Sequence, residues 1–258
     1  MSYSEIALLF STAAAGGAIN SVAGGGAFIS FPALVFTGVP SINANATSTV
    51  ALWPGTVAST GAYRNALSAE LLKKIAPLII ITLLGSLVGS RLLLKTRQTT
   101  FDRMVPWLLL AATLLFSFGG QITAWLIRRQ RKREPTHLRI FLITLAQACV
   151  AVYIGYFGGG VGIVMLALLS MMGVENIHTM NGLKTLLATC GNASAIVMFV
   201  LAHAIFWPQA LLMVTGAILG GYGGAYFAQK LSPGAVRGLV IGIGCTMTAY
   251  FFWKTWGM

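Results

Sequence analysis

The sequence predicts an all-α membrane protein, a polytopic helical bundle of two inverted repeats, each with about four full transmembrane helices and one short helix headed by glycines. Three observations lead there. The 258-residue chain is 57% hydrophobic and 9% charged, with mean hydropathy +0.82. Apolar runs over 75–94, 104–127 and 210–228 reach the roughly 20 helical residues that cross a hydrocarbon core. None of the runs alternates in polarity as the strands of a membrane barrel do. Finally, a glycine-headed segment occurs twice. One copy runs from Gly24, Gly25 and Gly26 to Gly38 and Val39, the other from Gly158, Gly159 and Gly160 to Gly173 and Val174.

The elements follow in order. A first helix is predicted over 4–22. The residues before it carry no basic stretch, so a cleaved leader is not expected and this run stays as a helix. The short segment 25–37 comes next, too short to span comfortably. A polar-small stretch opens the helix 44–63. Helix 71–94 carries Gly85 and Gly89 four apart, small residues on one face that permit close helix packing. Helix 102–127 ends the first half. The basic segment beyond it holds Arg128, Arg129, Arg131, Lys132, Arg133 and Arg139, and Pro135 marks it as a break. The second half repeats the order over 138–157, 160–172, 180–201, 207–230 and 237–254, with Gly220 and Gly224 as its spaced glycines. The sequence leaves open whether these spaced glycines meet a helix of the same chain or, in a homodimer, a second copy.

A shift of 135 residues lays the first half on the second without a gap. Gly24 and Gly25 fall on Gly159 and Gly160, Gly38 on Gly173, Ala58 and Ser59 on Ala193 and Ser194, and Gly85 and Gly89 on Gly220 and Gly224. This divides the chain into a first repeat 1–127, a basic cytoplasmic linker 128–137 and a second repeat 138–258. Five elements per half is odd, so the second copy is inverted. The net charge of +12 reads as a topology signal rather than a nucleic-acid surface, because the basic residues lie between apolar runs. With the linker cytoplasmic, loops 64–74 and 230–237 are cytoplasmic and both termini outside. Loop 91–103, with Arg91, Lys95, Arg97 and Arg103, does not fit that rule.

Glycines before a short helix expose backbone N–H groups at its positive end, which favours an anion. Gly24, Gly25, Gly26, Gly158, Gly159 and Gly160 are therefore candidates for substrate binding. Polar residues follow each short segment. Asn45 and Ser48 share a helix face, as do Asn181 and Lys184, and Thr47 lies between the first pair. The alternative for the first polar residues, Asn43 and Thr179, is helix capping. Lys184 is the sharpest candidate, because a lysine in an apolar helix is costly unless paired or solvated; snorkelling to the interface is the alternative. The five acidic residues, Glu5, Glu70, Asp102, Glu134 and Glu175, all lie outside the deep apolar runs, which weighs against a cation substrate. Cys149, Cys190 and Cys245 are isolated, and no motif asks for a metal or cofactor. No nucleophile–base arrangement supports an enzyme.

The duplicated glycine segment, followed by Gly38, Val39, Pro40 and the stretch Ala44, Asn45, Ala46, Thr47, Ser48, resembles the sulfite exporter TauE/SafE family. The second copy, from Gly158 to Asn181, Gly182, Leu183 and Lys184, resembles it too, as does Gly85-Ser86-Leu87-Val88-Gly89-Ser90-Arg91. The resemblance covers essentially the full length. It implies a multi-pass permease of the bacterial cell membrane for small sulfur-containing anions such as sulfite or sulfoacetate; the paired repeats add the expectation of alternating access, one repeat rocking against the other. Two departures make the half-sites unequal. Ala46 stands where the family commonly has glycine before Thr-Ser, and Asn181-Gly182-Leu183-Lys184 replaces a Thr-Ser pair. A non-transporting membrane subunit or assembly factor, and an anion channel, are the alternative readings.

Overall fold

The computed structural model describes residues 1–22, 25–129, 137–174, 176–228 and 233–257; Gly24 and most of the linker, 130–136, lie outside them. The described residues form ten α-helices and one short 3-10 turn, with no strand among them. In order these are α1 (Tyr3–Val22), α2 (Ala27–Phe36), α3 (Ser41–Ala62), the turn Arg64–Ala66, α4 (Ala69–Lys95), α5 (Gln98–Arg129), α6 (His137–Tyr156), α7 (Val161–Met171), α8 (Ile177–Leu201), α9 (Trp207–Ala228) and α10 (Pro233–Trp256). Each predicted helix is present. Several start two to four residues early, because their caps lie upstream of the apolar run. Asn176 caps α8, accepting from the His178 and Thr179 N–H groups at 2.9 and 3.2 Å. Ser68 caps α4, accepting from Leu71 N–H at 3.2 Å. The caps are therefore not Asn43 and Thr179, which lie inside α3 and α8.

The short helices α2 and α7 hold 10 and 11 residues, which at about 1.5 Å per residue is roughly half a hydrocarbon core. Both end alike. Gly38 and Gly173 take φ of +81° and +82°, and the following N–H groups, of Val39 and Val174, reach back to Leu34 and Leu169. That closure needs a left-handed residue, and a Cβ at either glycine would meet nothing within 4 Å. These two glycines are fixed by conformation alone.

Three helices are long and apolar enough to cross a membrane among the described residues: Ala69–Lys95, the described stretch Gln98–Gly119 of α5, and His178–Leu201. Their outer faces carry what a soluble protein would bury. On α4, Ile80, Leu84, Val88 and Leu92 recur every fourth residue and are about half exposed, while Thr82, Ser86 and Ser90 on the opposite face are fully buried. Apolar outside and polar inside is the arrangement a helix takes in lipid.

Two helix pairs approach backbone to backbone. A Cβ at Gly89 of α4 would fall on the Val152 carbonyl of α6, and one at Gly155 of α6 would fall on the Ser86 carbonyl of α4. In the second pair, Gly17 of α1 lies against Ala217 of α9, and Gly220 of α9 against Ala14 of α1. The described spaced glycines thus pack against helices of the same chain. Along α4 and α6 the contacts advance from Thr82–Gln147 to Gly89–Tyr156, and along α1 and α9 from Phe10–Gly216 to Gly17–Gly221, so the partners of each pair run in the same direction. α3 and α8 cross antiparallel at the centre, joined by Trp53 Nε1–H to the Thr189 carbonyl at 3.1 Å and by a Thr60–Thr189 hydroxyl bond at 3.1 Å. The main core packs beside that crossing, with Phe31 edge-on to Phe157 and stacked on Phe251.

Candidate functional site

A cavity of about 100 Å³ opens where α3, α8 and the start of α7 meet. A single water needs roughly 10–15 Å³ on this measure, so there is space for several waters or one small polyatomic ion. α3 supplies Asn45, Ser48, Thr49, Leu52, Thr56 and Ser59. The α6–α7 junction supplies Ile154, Phe157, Gly158, Val161 and Gly162, and α8 supplies Lys184, Thr185, Ala188 and Asn192. Asn20 of α1 and Ala27 of α2 complete it.

The junction is shaped by its glycines. Gly158 takes φ +73° and donates its N–H to the Tyr153 carbonyl at 2.9 Å, which closes α6. Gly160 takes φ +74° and lies against the Ala112 backbone of α5, so a side chain there is excluded twice. Tyr153 pins the turn by donating its hydroxyl to the Gly159 carbonyl at 2.9 Å. α7 then starts at Val161, and its first N–H groups have no partner inside the helix.

Lys184 is the one charged residue among the described residues lining the cavity. Its stem runs past α7, where a Cβ at Gly162 would lie 3.3 Å from its Cδ. Its Nζ donates to Asn181 Oδ1 at 3.1 Å, and none of the described lining residues is acidic. The lysine and the positive end of α7 therefore reinforce each other, each unfavourable to a cation and favourable to an anion.

The α3 wall has the opposite character. Thr49 Oγ1 donates to the Asn45 carbonyl at 2.8 Å, Thr56 Oγ1 to that of Trp53 at 2.8 Å, and Ser59 Oγ to that of Gly55 at 2.9 Å. Asn45 Nδ2 donates to the Tyr156 carbonyl at 3.1 Å. Ser48 and Ser30 share a hydrogen bond of 2.6 Å, and Ser30 also reaches the Gly26 carbonyl at 3.1 Å.

Of the residues singled out in the sequence, Asn45, Ser48, Gly158 and Lys184 line the cavity together. Asn181 stands behind Lys184 as the acceptor for its Nζ. Gly159 and Gly160 shape the turn without lining the space. Thr47 faces elsewhere, accepting the Phe206 N–H at 3.1 Å. Gly25 and Gly26 are buried in packing: a Cβ would meet Val240 of α10 at 2.7 Å from the first and the Gly16 carbonyl of α1 at 2.5 Å from the second. Gly26 has ordinary helical φ, −58°, so the two glycine triplets do not share a conformation. Gly24 lies outside the described residues. Asn20 and Thr56 line the cavity without having been singled out. Asn20 sits beside Ser21 and Thr56 three residues before Ser59, polar positions within otherwise apolar stretches, and that was the available signal.

The chain matches the family model for sulfite exporter TauE/SafE over residues 9–251. It belongs to the sulfite exporter TauE/SafE family. Relatives carry transporter names along nearly their whole length. A probable membrane transporter protein of Haemophilus influenzae is 30% identical, over 95% of this chain and 93% of its own. The probable membrane transporter protein YfcA of Escherichia coli K12 is 26% identical, over 98% and 91%. The probable membrane transporter protein ORF9 of a Sinorhizobium species is 25% identical, over 93% and 90%. No solved structure matches. Family membership and the apolar outer faces together make this a multi-pass membrane transporter protein. In this TauE/SafE chain Thr49 and Lys184, 135 residues apart, both line the cavity, one a neutral hydroxyl and the other a cation.

Proposed function

We propose that the protein is a permease for a small anion, a sulfur oxyanion or organosulfonate such as sulfite or sulfoacetate, and that the α3/α7/α8 cavity is its binding site. One observation carries the reading: Lys184, which among the described residues hydrogen-bonds only to a neutral amide, lines the cavity with no carboxylate among its described lining residues. A cation left uncompensated in a membrane protein interior is expensive unless a ligand completes it. The family description supports the sulfur anion, and the relatives' names support transport.

The mechanism proposed is alternating access between two inverted five-element repeats, 1–127 and 138–258, joined by the linker 128–137. Matching contacts support it: α1 on α9 corresponds to α6 on α4, each pair joining one helix of the first repeat to one of the second. Orientation follows the positive-inside rule, with the linker cytoplasmic and the protein in the bacterial inner membrane. The test is uptake of labelled sulfite, thiosulfate and sulfoacetate into proteoliposomes, with Lys184→Met alongside. A unit charge at about 4 Å is worth about 4 kcal/mol at an effective dielectric of 20. Discounting that by half for the open cavity leaves about 2 kcal/mol. Saturable uptake should therefore fall about 30-fold in the variant while folding is retained. Wild-type flux from Lys184→Met would remove the site, and no flux from folded wild-type protein would remove the permease.

A further inference from the structure

The cavity is chemically one-sided. A hydroxyl has one proton and two lone pairs. Thr49, Thr56 and Ser59 have each given that proton to a carbonyl of their own helix, three or four residues back. Asn45 has given an amide proton to the Tyr156 carbonyl. With the Ser30 proton on the Gly26 carbonyl, the proton between Ser30 and Ser48 belongs to Ser48. Asn45 keeps a second N–H, but the Thr49, Thr56 and Ser59 hydroxyls turn only lone pairs to the cavity. Across from them, Lys184 has donors and no acceptor. Thr49 and Lys184 set this polarity, with one end reading negative charge and the other reading a proton.

We infer that the anion taken by this cavity carries its own hydrogen-bond donor, an O–H beside the charge, as in a hydroxy-substituted sulfonate or a singly protonated oxyanion. The inference rests on reading the cavity as the substrate site. An anion whose far side is only C–H would bury the α3 acceptors without partners. One whose far side is oxygen lone pairs would face them with like charge. Sites whose polar groups are left unpaired reject such analogues.

The test uses the full-length protein in proteoliposomes and two labelled sulfonates, 2-hydroxyethanesulfonate and propane-1-sulfonate, which differ by O–H for CH₃. Both remain monoanions across the working pH range, so protonation does not enter. At subsaturating concentration the hydroxylated anion should enter about tenfold faster, the worth of one net hydrogen bond. Thr49→Val should bring the pair within about threefold, while Thr49→Ser, which keeps the acceptor, should preserve the preference. Equal entry of both, with flux still lost in Lys184→Met, overturns the inference and leaves the anion permease standing. A sodium requirement without discrimination assigns the acceptor wall to a cation and overturns it as well. No flux of either sulfonate or of sulfite from folded protein overturns the inference and the permease together.

Discussion

Alanine at Gly89 tests whether α4 and α6 touch through their backbones. Its Cβ would fall on the Val152 carbonyl oxygen, with the carbonyl carbon at 2.8 Å and the Tyr156 nitrogen at 3.0 Å. These are backbone atoms of another helix, and no rotamer change relieves them. Ordinary contact begins at 3.4 Å, so the helices must part by about 1 Å. A gap of that size forfeits about a quarter to a half of each dispersion contact along the seam. The seam also holds Gln147 Nε2–H on Thr82 Oγ1 at 2.8 Å, a buried bond between the same two helices. Overpacking of this kind costs about 1–3 kcal/mol, and the shared polar contact puts this case near 3. Replacing a helical glycine returns about 1 kcal/mol, for a net loss near 2 kcal/mol. In a chain of this size that lowers the melting temperature by about 4–8 °C. Gly155→Ala intrudes on the same seam from the other side, against the Ser86 carbonyl. Once either alanine has parted the helices the second finds room, so the double variant should lose about 1–2 kcal/mol less than the sum. Gly242→Ala on α10 is the control, since its Cβ meets nothing within 4 Å; it should match wild type or gain up to about 1 kcal/mol. The assay is thermal unfolding of wild type and the four variants in detergent. If Gly89→Ala melts with wild type, or its effect adds fully to that of Gly155→Ala, the close seam does not exist.

Two further outcomes are expected. Gly173→Ala should cost about 1–2 kcal/mol, since the left-handed φ is its only demand, whereas Gly160→Ala adds the clash with Ala112 and should cost more; equal melting temperatures would show that the Ala112 contact carries nothing. Asn181→Asp sets a carboxylate where the amide now accepts the Lys184 ammonium at 3.1 Å; it should suppress anion uptake about as strongly as Lys184→Met while leaving the melting temperature unchanged or raised, and full uptake by the variant would separate Lys184 from the transported charge.

The order of helices was legible because apolar run length and glycine punctuation are local signals. Ser68 and Asn176 were less so, since a cap lies outside the apolar pattern it terminates. The spaced glycines fixed a helix face without fixing the partner: Gly85 and Gly89 could as well have met a second copy, and only the packed chain puts them on α6. At the cavity, Asn45 and Ser48 are three apart and arrive together, while Thr47 between them turns to the Phe206 N–H. Helical spacing decides which residues share a face, but tertiary packing decides which face meets the space. The two glycine triplets look alike in sequence. Yet Gly26 is helical and pressed on Gly16, whereas Gly158 and Gly160 take positive φ. Nothing in a run of glycines distinguishes close approach from left-handed turning, because glycine permits both.

The place of the cavity follows from how the helices meet. Where α1 meets α9 and α4 meets α6, glycine removes the side chains and backbone touches backbone, which leaves no volume for water or solute. Where α3 crosses α8, the contact is made through Trp53, Thr60 and Thr189, side chains that hold the two backbones apart. Polar groups are tolerated there because they satisfy one another or face the space between. The glycine seams are bistable only at the cost of a whole interface, whereas the crossing is held by a few hydrogen bonds, each worth about 1 kcal/mol net. In the proposed alternating-access cycle α1 moves with α9 and α4 with α6, each unit drawing one helix from each repeat, and the α3–α8 crossing between the repeats is the part that changes. Substitution of Thr60 or Thr189 should then alter flux more than stability, the reverse of substitution at Gly89.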